Sequence, residues 1–336
     1  MHFLIILIAI AVLESNGQLA FIQRDIWVQK WHGALAKLSS SKLPALDNNP
    51  RLKVAVYVLV PAAVLQLVLW YLGSGILVFL LELAVLLYCL GRGDLSAQIS
   101  VLQSDIQRND LQAAFHDAAV FNIGHRAVSA DNAAGLFREL AATLPYRLFE
   151  RSFVVVFWFF FLGAPLALAY RLLALHGDMQ LGSVDVQLDE EPELDKEQSS
   201  EEDFIEILED TAPDEANKLL WYLEWIPVRA LALTLGLMGD FSKATAPLKE
   251  LVFCPKTSTA DVLRLCVLGA LNNQPAEAMG ATGATGATET AEPTETIEAN
   301  EVAETAALSQ VADIVALFRR SMTGWLVAIA LLVLTS

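Results

Sequence analysis

Apolar positions in this chain come in long blocks rather than in alternation. Residues 54–81 and 153–170 carry no charge at all, and runs of that length meet the roughly 18-residue threshold for a helix that spans a bilayer. The first run has room for two helices meeting at Gly73-Ser74-Gly75, which puts Glu82 inside the second arm. Further apolar stretches lie at 219–239, near the C-terminus and in the opening MHFLIILIAIAVLE. The expectation is an all-α, polytopic membrane protein with four to five membrane-inserted helices and a cytoplasmic helical segment.

Between the blocks, Leu95, Ile99, Leu102 and Ile106 recur at helical spacing, and Leu111, Ala114, Phe115 and Ala118 begin a second stripe after the break at Arg108-Asn109-Asp110. That pattern predicts a helical hairpin. GRGD at 91–94 reads as a glycine stop at the end of a span. The expected divisions follow. Residues 1–53 hold a short membrane helix and a basic cytoplasmic segment, 54–91 a transmembrane hairpin, 92–152 the cytoplasmic helices, and 153–175 a membrane helix. Residues 176–218 form an acidic disordered loop. A membrane helix with its flanking cytoplasmic segment occupies 219–272, a low-complexity linker 273–318 and a C-terminal anchor 319–336. The opening stretch has no Lys or Arg ahead of its apolar run and no small-residue cleavage site, so it reads as a retained, shallow or re-entrant helix rather than a signal peptide.

Composition agrees: 55% of residues are hydrophobic and only 18% charged, against about 25% charged in an ordinary soluble domain. Charge placement adds an orientation. Residues 177–218 carry sixteen acids against Lys196 and Lys218, which is −14 of the chain's −17; a block with DEEPELDKEQSSEED at its centre buries too little apolar surface to fold. GATGATGATETAEPTETIEANE near the other end has no aromatic or basic residue and reads as a flexible linker. With residues 14–53 in the cytoplasm, eighteen basic residues fall on that side and only Lys196 and Lys218 on the other, the bias expected of cytoplasmic flanks. Arg171 and Arg229 remain inside expected spans.

A charged side chain at mid-bilayer costs about 2.5–3.5 kcal/mol on insertion scales, so ionisable residues there usually face protein and often serve function. Glu14, Glu82, Arg171, Glu224 and Arg229 are the candidates. Pro227, between the last two, removes a backbone donor and is expected to kink or break its helix. Two readings stay open. The charges pair with one another and lock helix packing, or Arg171, Glu224 and Arg229 line a polar pocket open to the cytoplasm, where arginines hold an anionic group through forked hydrogen bonds. FWFFF at 157–161 reads as lipid-facing or packed surface. Cys89, Cys254 and Cys266 lack metal spacing, and His116 and His125 do not share a helical face. No metal site, cofactor motif or nucleic-acid patch is legible.

Several blocks carry a resemblance. GRGDL at 91–95, NDLQAAFH at 109–116, RSFVVVFWFFFLGAPLALAYRL at 151–172 and LEWIPVRALALTLGLMGDF at 223–241 are similar, in order and spacing, to the AmpE family of inner-membrane proteins. Leu13-Glu14 and QRDIW at 23–27 also resemble that family's start. The resemblance implies a bacterial inner-membrane regulatory protein associated with β-lactamase induction and cell-wall stress, acting without classical catalysis. Its partners would be the lipid bilayer and a protein of the cell envelope. The wider superfamily includes the CobD/CbiB cobalamin-biosynthesis synthases, which use ATP and magnesium; Phe157-Trp158, Gly163-Ala164-Pro165, Tyr170-Arg171 and the EWIPVR stretch match their patterns.

This sequence departs from the synthases where their acids lie. LPYRLFERSF keeps only Glu150, Tyr146 and Arg147 stand at the Glu-Asn positions, Ala174 stands at an Asn position, and Asp178 comes one residue late. Magnesium sites need carboxylates and substrate phosphates, so each loss favours a regulator. A divergent amide-forming membrane synthase and a membrane scaffold or assembly factor are the alternatives. The candidate ligand-binding residues are therefore Arg171, Glu224, Arg229, Glu150 and Glu14, with Pro227 as a structural kink.

Overall fold

The computed structural model describes residues 2–16, 25–42, 49–90, 95–108, 112–114, 133–189, 215–251, 257–271 and 293–335. The fold is all-α, with twelve α-helices among the described residues. In chain order they are α1 (His2–Asn16), α2 (Ile26–Lys42), α3 (Pro50–Leu72), α4 (Ile76–Cys89), α5 (Leu95–Gln107) and α6 (Ala133–Leu148); a π-helical turn, Phe149–Phe153, leads into α7 (Val154–Leu162). Then come α8 (Ala164–Asp189), α9 (Glu215–Met238), α10 (Phe241–Leu251), α11 (Thr259–Ala270) and α12 (Pro293–Thr335). GRGD, His116, His125, Cys254, residues 190–214 of the acidic block and residues 273–292 lie outside the described residues.

Local chemistry explains the boundaries. Pro50 opens α3, where its missing N–H costs nothing. Gly73 closes the helix at φ 71°, a conformation that burdens other residues, and its N–H bonds the Trp70 carbonyl at 3.2 Å. Ser258 caps α11 by accepting from the Asp261 N–H at 3.1 Å. Gly163, at φ 81°, separates α7 from α8.

Two helices are long and apolar enough to cross a membrane, Arg51–Leu72 within α3 and Leu308–Thr335 within α12, and only 22% of each apolar window is buried. His2–Leu13 and Ile76–Cys89 are shorter apolar helices.

Four sequence expectations are corrected. The single helix over 153–175 is divided by Gly163, leaving α7 with nine residues, about 14 Å at the α-helical rise. The acidic block is not loop throughout: α8 runs on to Asp189 and α9 begins at Glu215. Of the two outcomes expected at Pro227, a kink or a break, the break does not occur: α9 is one helix from Glu215 to Met238. The linker reading fails over 293–318, because α12 starts at Pro293; the expected C-terminal anchor is the end of that 43-residue helix. Residues 294–318 contain neither Gly nor Pro, so helix propensity carries the chain there.

The chain divides into two compact units. The first comprises Met1–Ala11, Ala20–Leu90 and Val155–Glu224, the second Val12–Leu19, Gly91–Val154 and Trp225–Ser336. In the first, α8 packs on α3 and α4, and every residue from Ala167 to His176 is buried. A helix buried on all sides is a central core element. The opposite faces of α3 and α4 expose Leu59, Val64, Leu67, Trp70, Ile76 and Leu77. In the second unit α12 packs along α6, α6 against α11, and α11 against α10. The last pair approaches closely at glycine: a Cβ on Gly269 would lie 2.5 Å from the Lys243 carbonyl oxygen.

Candidate functional site

In the first unit, apolar helices bury a set of polar side chains. Arg171 projects from the middle of α8 and is 6% exposed. Its Nε makes no hydrogen bond, and no acid of the described residues forms an ion pair with its guanidinium. Its neighbour Tyr170 donates to Glu224 Oε1 at 2.8 Å, and that glutamate is 2% exposed. Tyr88 of α4 donates to Asp25 Oδ1 at 2.9 Å and lies within electrostatic reach of both Arg171 and Tyr57.

Tyr57, from α3, is 1% exposed, and its hydroxyl makes no hydrogen bond among the described residues. Its ring lies 5.1 Å from His176 and 5.7 Å from His32, with the two histidine rings 5.7 Å apart. Glu82 sits elsewhere in the unit: His2 Nε2 is 3.8 Å from its Oε1, and His2 Nδ1 donates to the Phe160 carbonyl at 3.4 Å. That contact and the His2–Phe159 edge-to-face pair at 5.5 Å fix α1 on α7. The aromatic block is mixed, with Phe159 fully buried and Phe161 exposed.

The second unit holds Glu150 and Arg229. Glu150 falls in the π-helical turn and takes a hydrogen bond from Arg147 Nη1 at 2.7 Å, both side chains being buried. Arg229 donates to the Trp225 carbonyl at 2.8 Å, and its guanidinium lies 4.1 Å from the Trp225 ring centroid, the geometry of a cation–π contact. Trp325 of α12 donates to Thr234 Oγ1 at 2.7 Å and stands edge-on to Phe153 at 5.3 Å. Cys266 is buried, and burial pushes its thiol up to about 12.

Of the five sequence candidates, Arg171 and Glu224 thus belong to the first unit, Glu150 and Arg229 to the second. The backbone of Glu14 lies in α1; its side chain is outside the described residues. Sequence reasoning missed Tyr57, Tyr88, Asp25, His176 and Arg147. A tyrosine in the middle of VAVYVLV, and a histidine five residues after Arg171 in YRLLALH, were the available signals. Among the described residues no group of three or more His, Cys, Asp or Glu side chains is arranged to hold a metal ion.

No family model matches this chain, and neither a curated protein nor a solved structure matches it.

Proposed function

We propose that this is a multi-pass bacterial inner-membrane protein of AmpE type, which modulates β-lactamase induction under cell-wall stress and uses the polar interior of α8 as its sensing element. The observation that carries the reading is Arg171, a permanent cation held in a helix whose surrounding residues are all buried. Such a charge in apolar surroundings costs several kcal/mol unless it gains a partner, and buried charges of this kind often serve function. Membrane residence is supported by the two long apolar helices with outward-facing Leu59, Val64 and Leu67. The basic bias of the segments assigned to the cytoplasm supports the orientation.

The test is β-lactamase activity, with and without a cell-wall-active inducer, in strains carrying the wild-type gene, a deletion, Arg171→Gln or Arg229→Ala. Altered induction in the deletion strain, reproduced by Arg171→Gln, is the expected result; unchanged induction in the deletion strain rejects the regulatory reading. One observation favours a second reading, a divergent amide-forming synthase: Glu150 is buried in a π-helical turn, a distortion frequent at functional sites. That reading predicts turnover dependent on ATP and magnesium, and a corrinoid growth requirement on deletion.

A further inference from the structure

We propose that His32 of α2, Tyr57 of α3 and His176 of α8 form a binding site for one divalent transition-metal ion of the zinc–copper class, reached from the exposed face of α2. The site goes beyond the regulatory reading and does not rest on it.

Three helices of the first unit bring these rings together. The His176 ring centre lies 5.1 Å from that of Tyr57 and 5.7 Å from that of His32, and the His32 and Tyr57 centres are 5.7 Å apart. The residue next to His32 fixes the register: Trp31 Nε1 donates to the Tyr57 carbonyl at 3.1 Å, which pins α2 on α3 at this point. Tyr57 is 1% exposed and its hydroxyl makes no hydrogen bond among the described residues, a state that costs about 1–3 kcal/mol unless something meets it. His176 is buried as well, whereas His32 is half-buried and followed by the exposed Gly33 and Ala34. One side of the cluster is therefore within reach of solvent.

The ring spacing fits a shared ion. An imidazole nitrogen about 2.0–2.1 Å from zinc sets its ring centre about 3.2 Å from the metal, so two imidazoles on one ion have centres about 5.2 Å apart at the tetrahedral angle and about 6.4 Å apart in a straight line. The observed 5.7 Å between His32 and His176 falls inside that range. Imidazole is the usual donor to zinc and copper, and two of them leave the ion half-coordinated. The Tyr57 hydroxyl is the third donor at hand: on binding it passes its proton to water and meets the metal as phenolate, and water fills the fourth position. Arg171 stands five residues before His176, about 140° around α8, so its charge projects from another side of the helix. Water alone also satisfies the Tyr57 hydroxyl but holds no metal, and the two separate by experiment.

The full chain, carrying no histidine tag, is purified in an uncharged detergent and stripped with a chelator. It is then titrated with zinc by calorimetry and with Cu(II) by visible absorption. His32→Ala and Tyr57→Phe accompany the wild type, with His2→Ala as a control on a histidine outside the cluster. The expected result is one zinc per chain, kept by His2→Ala and weakened by His32→Ala at least as much as the ~10–100-fold that loss of an outer-shell partner costs. Cu(II) should give a tyrosinate-to-copper charge-transfer band that Tyr57→Phe removes, a signature that a merely structural tyrosine would not produce. Absence of stoichiometric binding overturns the proposal, as does zinc binding that His32→Ala leaves unchanged or a copper complex without the band. His32 is only half-buried and Tyr57→Phe keeps the packed ring, so both variants should fold, which unfolding temperatures in metal-free buffer check.

Discussion

In the first unit a buried guanidinium, Arg171, stands in α8 without an acid partner among the described residues, whereas in the second the buried guanidinium of Arg147 has Glu150 at 2.7 Å, one turn along the same stretch of helix. The second unit mixes local and distant partners: Arg229 turns back on Trp225, while Thr234 donates to the Ala230 carbonyl and receives the Trp325 donor from far along the chain. In the first unit Tyr170 reaches to Glu224 and Tyr88 to Asp25 across long sequence separations, and buried atoms without a hydrogen bond occur in both units, Tyr57 Oη, Trp158 Nε1 and Arg171 Nε in the first and Arg151 Nη1 and Arg229 Nε in the second among them. The difference teaches where to look for function. Since atoms without a hydrogen bond are buried in both units, the contrast lies in the ion pair: Arg147 has an acid at hydrogen-bond distance, and a buried guanidinium without one is where a further negative charge would count most.

The contrast breaks most readily at Glu150. Glu150→Ala leaves Arg147 buried without its carboxylate and should cost about 3–5 kcal/mol, measured by thermal unfolding in detergent. Replacing both residues by leucine should recover most of that loss. A single-substitution cost below about 1 kcal/mol, the worth of an exposed pair, would mean that the ion pair of the second unit is screened, and the contrast with Arg171 would collapse.

Glycine sharpens the comparison in both directions. Gly269→Ala forces a Cβ to within 2.5 Å of the Lys243 carbonyl and should destabilise by about 1–3 kcal/mol, the usual cost of overpacking. Gly33→Ala in α2, where nothing lies within 4 Å of the added carbon, should stabilise by about 0.5–1 kcal/mol through helix propensity. Equal effects at the two positions would show that α10 and α11 are not clamped.

A smaller difference separates two aromatic substitutions. Trp325→Phe removes the hydrogen bond to Thr234 and should cost about 0.5–1.5 kcal/mol; Tyr57→Phe deletes an orphan hydroxyl, so stability in metal-free buffer should hold or rise. A loss at Tyr57 as large as that at Trp325 would reveal an acceptor for its hydroxyl.

The last effect appears only in alkali. The Cys266 thiol, raised from 9.0 to about 12 by burial, keeps its proton in the folded protein while the unfolded chain loses it above about pH 9. The unfolded state then binds fewer protons, so stability falls as pH rises from about 9 towards 12. Cys266→Ala should flatten that slope in unfolding measurements across the range. An unchanged slope would assign the alkaline loss to other groups.

By itself the sequence determined the helical class and several breaks. Uncharged runs admit helices whose backbone groups are satisfied internally; Gly73 and Gly75 punctuate one such run, and the stripe from Leu95 to Ile106 marks the helix that ends at Gln107. It also singled out Arg171 and Glu224, because a charge in an apolar run is conspicuous wherever it folds. Only the tertiary structure decided that α8 is buried on all sides over Ala167–His176 while α3 keeps an open apolar face. In stretches this uniformly apolar no polar stripe tells the core-facing side from the other, and burial is set by which helices pack alongside. For the same reason Tyr57 and Tyr88 became visible only when α3, α4 and α8 came together: their sequence neighbours are apolar, and what makes them candidates lies in α8 more than eighty residues further along the chain, His176 for Tyr57 and Arg171 for Tyr88.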